Sequence, residues 1–311
     1  MGAVRRVGVV LLVLLVCSAA WAGKLTVRVT DGGASVGGAT VQVQPAGVTG
    51  TTNPAGKWAD TVPAGAQRVI CYKETGGVLK GGIVNTTMPA GNHDITVPIV
   101  DAFWIQRYFP HAVGNAWQYR YTRTKADGTV EHETRRERCD RAVVVGGEAA
   151  IVWVTTEDGS PAWEETRSCN GVTGFSMYDQ GSGADSLKYE PPLRCGPLMP
   201  VGYEWVSHAV AHHGDGTPDT PMTFRCKFEG YQNVTVPAGA FPNCARLRVT
   251  FEGGGETNRI MVWMARSIGI VREMEQTPDS RNEKLLEEYS IRGLPLRPIR
   301  PIGPLVPAPR L

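Results

Sequence analysis

The chain has 311 residues, a charged fraction of 20% and a formal net charge of +2, from 32 basic and 30 acidic side chains. A balance this even, with no long basic block, leaves no electrostatic footprint for nucleic acid or an anionic membrane surface. The length allows more than one domain, and the apolar runs stay short of the ~20 residues that a membrane-spanning helix needs.

The N-terminus carries Arg5 and Arg6, an apolar run over 7–16, and the small-residue site Ala20-Trp21-Ala22 before Gly23. That order is the order of a secretory signal peptide, so residues 1–22 are expected to be removed by cleavage after Ala22. Removal takes away two arginines and no acid, which leaves a neutral mature chain with 30 residues of each sign. Cys17 follows Leu14-Leu15-Val16. A lipoprotein signal wants a small residue before its cysteine, so Val16 speaks against a lipid anchor at Cys17, and the expected location is secreted or periplasmic, in the cell envelope.

Residues 23–100 contain short alternating stretches: "LTVRV" at 25–29, "TVQVQ" at 40–44, "QRVICY" at 67–72 and "HDITVPI" at 93–99. Apolar residues at every second position mark half-buried strands. Beside them the tripeptide Pro-Ala-Gly recurs at Pro45, Pro54, Pro63 and Pro89, and again at Pro237. Proline presets φ for the second position of a turn, and the glycine accepts the positive φ that closes it, so the tripeptide is turn chemistry. It is not a structural repeat, because the intervening "VTGTTN" and "KWADTV" share no apolar pattern. About seven short strands are expected, enough for a small two-sheet sandwich.

The run "LTVRVTDGGASVGGATVQV", followed by "TNPAGKW" and "TVPAGAQRV", resembles the carboxypeptidase regulatory-like, transthyretin-like domains. The resemblance implies a β-sandwich that serves as a spacer, adhesive or stabilising module. Some similar surface domains lock themselves with a lysine to asparagine isopeptide bond. Here Asp31 stands where that lysine would follow the first strand.

"DAFWIQRYFP" at 101–110 breaks the alternation with a dense aromatic cluster and reads as a junction with one helical turn. Over 111–292 the alternation returns. Turn signals stand at Asp127-Gly128, Gly146-Gly147, Asp158-Gly159, Asn170-Gly171, residues 212–219, Pro237-Ala238-Gly239 and Gly253-Gly254-Gly255. This spacing predicts an antiparallel meander of roughly ten to twelve strands, forming a curved sheet or half-barrel. "NEKLLEEYSI", near the end, is the first segment with helical periodicity and also fits a final strand.

Three pieces of this region occur in order: "YFPHAVGNAWQY" over 108–119, a middle segment over 191–205 with Pro191, Pro192, Leu193 and Trp205, and "VPAGAFPNC" over 236–244. Together they are similar to a group of bacterial envelope proteins, several of them lipoproteins. The resemblance implies an envelope protein and names no activity.

Of 7 cysteines, Cys71, Cys139, Cys169, Cys195, Cys226 and Cys244 remain once Cys17 is removed. An even number in an exported chain suggests up to three disulfides. Full pairing would need one bridge from Cys71 to the later region; the alternative leaves Cys71 and one other as free thiols. No pair shows Cys-x-x-Cys spacing, so a redox or zinc centre has no support.

His208, His212 and His213, with Asp215 and Asp219, are the one concentration of metal-type ligands. On a strand, His208 and His212 share a face, although a recognised ligand spacing is missing, and a polar hairpin tip accounts for them. Glu157 with Asp158, and Glu164 with Glu165, offer paired acids for glycoside hydrolysis, but they sit beside a predicted hairpin and read as solvated strand residues. "HETRRERCDR" at 132–141 also reads as a solvated strand face. Ser182 lacks a Gly-x-Ser-x-Gly elbow. Trp58, Trp104, Trp117, Trp153, Trp163, Trp205 and Trp263 remain after cleavage, with Trp153 and Trp163 as neighbours across a turn; core packing is the default and sugar stacking the alternative.

In the tail, residues 293–311, Pro295, Pro298, Pro301, Pro304 and Pro307 recur at the period of a polyproline II helix. Leu296, Ile299, Ile302 and Leu305 form a second edge suited to docking on the body or on an envelope partner. The sequence thus points to an exported, all-β, two-domain protein without catalytic residues, cofactor or metal. Its larger sheet is expected to hold an apolar ligand or a segment of an envelope partner on the concave face. A metal-dependent enzyme at His208, His212 and His213, and a carbohydrate-binding protein, are the competing readings.

Overall fold

The computed structural model describes residues 22–158, 163–181, 183–277 and 279–292. The signal segment up to residue 21, Cys17, Ser182 and the proline-rich tail fall outside them. Every regular element described is a strand, apart from two 3₁₀ turns at Ile105–Arg107 and Gly183–Asp185. The described chain divides into two compact units, residues 22–70 with 84–97 and residues 71–83 with 98–292. A single boundary near residue 100 therefore misses a hairpin tip: residues 71–83 pack with the second unit.

The first unit is built from β1 (Ala22–Asp31), β2 (Ala34–Ser35), β3 (Thr40–Gln44), β4 (Val48–Thr51), β5 (Lys57–Pro63) and β8 (His93–Pro98), with parts of β6 (Gly65–Thr75) and β7 (Val78–Met88). β1 pairs with β2, β5 and β8, while β4, β3, β6 and β7 follow one another in a second sheet. Alternate residues Leu25, Val27 and Val29 of β1, and Val41 and Val43 of β3, are buried, as the period of two requires. The buried polar side chains here, Thr52 and Gln67, are uncharged. Thr52 Oγ1 donates to Val36 O at 2.7 Å and accepts from Ala39 N at 2.9 Å, and Gln67 Nε2 donates to Pro63 O at 3.1 Å. Two Pro-Ala-Gly copies show the turn chemistry directly. Gly47, at φ +71°, closes the β3–β4 hairpin with its N–H on Val43 O at 2.9 Å. Gly56, at φ +72°, turns where an added Cβ would lie 2.8 Å from Val36 N.

In the second unit, β9 (Val100–Trp104) leads into the turn at Ile105–Arg107, so the aromatic junction is a strand followed by one short helical turn. Twelve strands then close into a barrel: β10 (Ala116–Lys125), β11 (Val130–Val145), β12 (Glu148–Glu157), β13 (Trp163–Asn170), β14 (Gly174–Gly181), β15 (Leu187–Cys195), β17 (Glu204–His213), β18 (Thr220–Val236), β19 (Gly239–Gly253), β20 (Glu256–Ala265), β21 (Gly269–Gln276) and β22 (Ser280–Ser290). β16 (Leu198–Pro200) leaves this path and pairs with β9.

The closed barrel corrects the expected curved sheet or half-barrel. "NEKLLEEYSI" is not a helix but most of β22, which pairs with β10 from Ala116↔Ser290 to Lys125↔Ser280. An open meander of this length would leave long unpaired edges, and joining its first strand to its last satisfies their backbone groups. Side chains of the 108–119 segment fasten the seam. Trp117 Nε1 donates to Ile268 O at 2.7 Å, Tyr119 Oη to Ile270 O at 3.2 Å, and the Arg292 N–H to Asn115 Oδ1 at 2.9 Å.

All six cysteines carry free thiols, which corrects the expectation of disulfides. Five of them are buried, and burial pushes the thiols of Cys71 and Cys139 up to about 12. They fill core space as small apolar side chains. Exposed charges on the barrel pair with one another, as Arg141 with Glu164 at 2.7 Å and Arg120 with Glu287 at 2.9 Å, where a lipid-facing barrel carries an apolar band. No helix among the described residues is long and apolar enough to cross a membrane.

Candidate ligand cavity in the barrel

A barrel of twelve strands is wider than its inward side chains can fill, and a cavity of about 440 Å³ remains inside. Strand periodicity decides what lines it. On β14 to β20 the lining is apolar apart from Gln180 and Asn258, with Met177, Leu187, Phe224, Val249, Phe251 and Ile260. Ile105 and Phe109 form a floor at the end where β10 begins. The Phe109 ring packs 5.1 Å from Trp153 and 5.2 Å from Phe175, and the Ile105 N–H donates to Pro197 O at 3.0 Å.

On β11, β13, β21 and β22 the lining carries charge. Lys284 Nζ stands 3.0 Å from Glu137 Oε1 and 3.0 Å from Glu273 Oε2, with the Lys284 and Glu137 side chains only 8% exposed. Arg167 pairs with Glu165, and Arg135 pairs with Glu157 and, at 2.8 Å, with Glu133. The same cations cover aromatic faces. Arg135 lies 3.3 Å from the Tyr121 centroid, Arg167 4.8 Å from that of Trp153 and Lys284 4.8 Å from that of Tyr119. Burial pushes the Glu137 carboxyl up, yet Lys284 and Arg167 together hold it below its usual range. Burial pushes Lys284 down, and Glu137 and Glu273 more than restore it. Both therefore stay charged, which is tolerable inside a protein because each has its partner.

Behind this wall, Trp153 Nε1 donates to His111 Nδ1 at 3.4 Å, and His111 Nε2 is buried without a hydrogen-bond partner. Burial, reinforced by the nearby Arg167, pushes the imidazole down to about 4, so it is neutral. Glu275 differs from the other lining carboxylates. No cation among the described residues lies within ion-pair distance of it, and it accepts instead from Asn282 Nδ2 at 2.8 Å and from Asn258 Nδ2. Asn258 also lines the cavity, and its Oδ1 is buried with no donor.

The solvated-face reading of "HETRRERCDR" holds for Arg136 and Arg138, which are exposed. It fails for Arg135 and Glu137, which line the cavity, because they share the parity of buried Cys139. Likewise Glu164 is exposed and pairs with Arg141, while Glu165 points in to Arg167. That shared parity is the signal in the sequence that marks the charged wall.

The histidines are spread out. His208 bonds Thr223 Oγ1 at 3.2 Å, His213 bonds Thr220 Oγ1 at 3.1 Å, and His212 lies 2.9 Å from Asp219. No group of three His, Cys, Asp or Glu placed to hold a metal ion occurs among the described residues. Trp58, Trp117, Trp153, Trp205 and Trp263 are buried and Trp104 and Trp163 half-buried, so they offer no exposed row for sugar rings; Trp117 stacks on Trp153 at 4.8 Å.

No family model matches the chain, and no curated protein matches it. Among solved structures it is similar to a candidate lipoprotein from Parabacteroides distasonis, with 13% identity and a TM-score of 0.40 over 59% of this chain and 98% of that one. It is also similar to a candidate exported protein with a YmcC-like fold from Bacteroides fragilis, with 17% identity and a TM-score of 0.39 over 59% of this chain and 98% of that one.

Proposed function

We propose that this chain is an exported, non-catalytic envelope protein whose barrel holds an apolar or amphiphilic small molecule. The cavity carries the reading. Protein interiors pack densely and leave few voids larger than water, whereas about 440 Å³ is a volume that takes a small-molecule ligand. Its apolar wall supplies the binding energy, and its charged wall, paired except at Glu275, orients the occupant without collapsing on it. Export rests on the signal-peptide pattern of residues 1–22.

Native mass spectrometry of the protein taken from its own envelope tests the reading. A bound small molecule is expected, lost in a Val249→Trp variant whose larger side chain occupies the cavity. Protein that emerges empty from its envelope, and that takes up no long-chain alcohol after purification, would overturn it.

A further inference from the structure

We infer that the cavity selects a single-chain amphiphile with a primary ammonium head, held by Glu275 and Asn258. The inference rests on the reading that the cavity binds an amphiphile, and it names the head group. The lining carries three cations, Arg135, Arg167 and Lys284, against four carboxylates, so one negative charge is in excess. Each cation is already engaged by a carboxylate. A carboxylate, phosphate or sulfate head would have to break one of those pairs and would add to the excess.

Glu275 is the carboxylate left without a cation. A carboxylate offers about four acceptor positions, and the two asparagine amides fill only part of them. Asn258 turns its Nδ2 to Glu275, which fixes its Oδ1 as an acceptor, and that oxygen is buried without a donor. An ammonium group brings three N–H donors and no acceptor, which suits a carboxylate and an amide oxygen side by side. It also cancels the excess charge. The apolar wall begins at the same place: Asn258 is the cross-strand partner of Phe251, and Glu275 that of Ile260, and both apolar residues line the cavity. A chain attached to the ammonium would run from there along Phe251, Val249 and Phe224 towards the floor at Phe109.

Calorimetric titration of the full mature chain with dodecylamine, dodecanol and dodecanoate tests this. The amine is expected to bind about tenfold more tightly than the alcohol, the scale of a charge-assisted hydrogen bond, and the carboxylate more weakly than the alcohol. Glu275→Gln should bring the amine to within about twofold of the alcohol, and retained binding of the alcohol reports that the variant is folded. Asn258→Leu should remove part of the preference. Equal binding of amine and alcohol by the unaltered protein, or a preference that survives Glu275→Gln, would overturn the head-group inference and leave the cavity reading standing. Failure of all three chains to bind would overturn both.

Discussion

The two units use the same strand alternation and close their interiors differently. In the first, the inward positions of β1 and β3 are leucine and valine, and the buried polar groups, Thr52 and Gln67, are uncharged. In the barrel, inward positions of β11, β13, β21 and β22 carry arginine, glutamate and lysine beside a cavity. The contrast teaches that alternation says which side chains turn inward, while strand number and closure decide whether the inside is a filled core or a lined space. A lined space can keep charges, provided each has a partner.

Removing one partner is the strongest way to break the comparison. Lys284→Met leaves the buried Glu137 and the half-buried Glu273 without this cation and should cost about 3–5 kcal/mol, read from the urea midpoint. Replacing all three by apolar residues of similar size should recover most of that loss. Full recovery would show that the barrel needs the charges for its ligand and not for its fold.

The second effect is pH-dependent and belongs to the barrel alone. His111 is held at about 4 in the folded protein against an ordinary value of 6.5. Below 6.5 the unfolded chain takes up a proton that the folded barrel refuses, so this stability is present above 6.5 and is lost as pH falls through about 4. The contribution is about 3 kcal/mol, and His111→Phe should flatten the stability profile between those values. An unchanged slope would place the acid sensitivity elsewhere.

The smallest effect sharpens the other side of the contrast. Val27→Ala in the first unit removes two methyl groups from a filled apolar core and should cost about 2 kcal/mol. Hydrogen exchange should report that loss in the first unit while the amides of the barrel strands keep their protection. Loss spread evenly over both units would show that they unfold together.

Much of this architecture was legible residue by residue. The stretches at 25–29 and 40–44 alternate as written, and Gly47 and Gly56 turn where the Pro-Ala-Gly reading put them. The candidate site was not legible in the same way. His208, His212 and His213 drew attention by their type, yet each bonds a separate neighbour. Arg135 and Glu137 passed for surface charges, because a charged residue at an inward position looks in sequence like one on a solvated face.

By itself, then, the sequence determined strands, turns, the all-β class and the parity of each side chain, since these depend on neighbours a few residues apart. Tertiary structure alone decided that β22 returns to β10, that the six thiols are unbridged, and that a cavity with Glu275 on its wall lies inside. Those outcomes depend on pairings such as Ala116 with Ser290, between residues that local patterning does not connect.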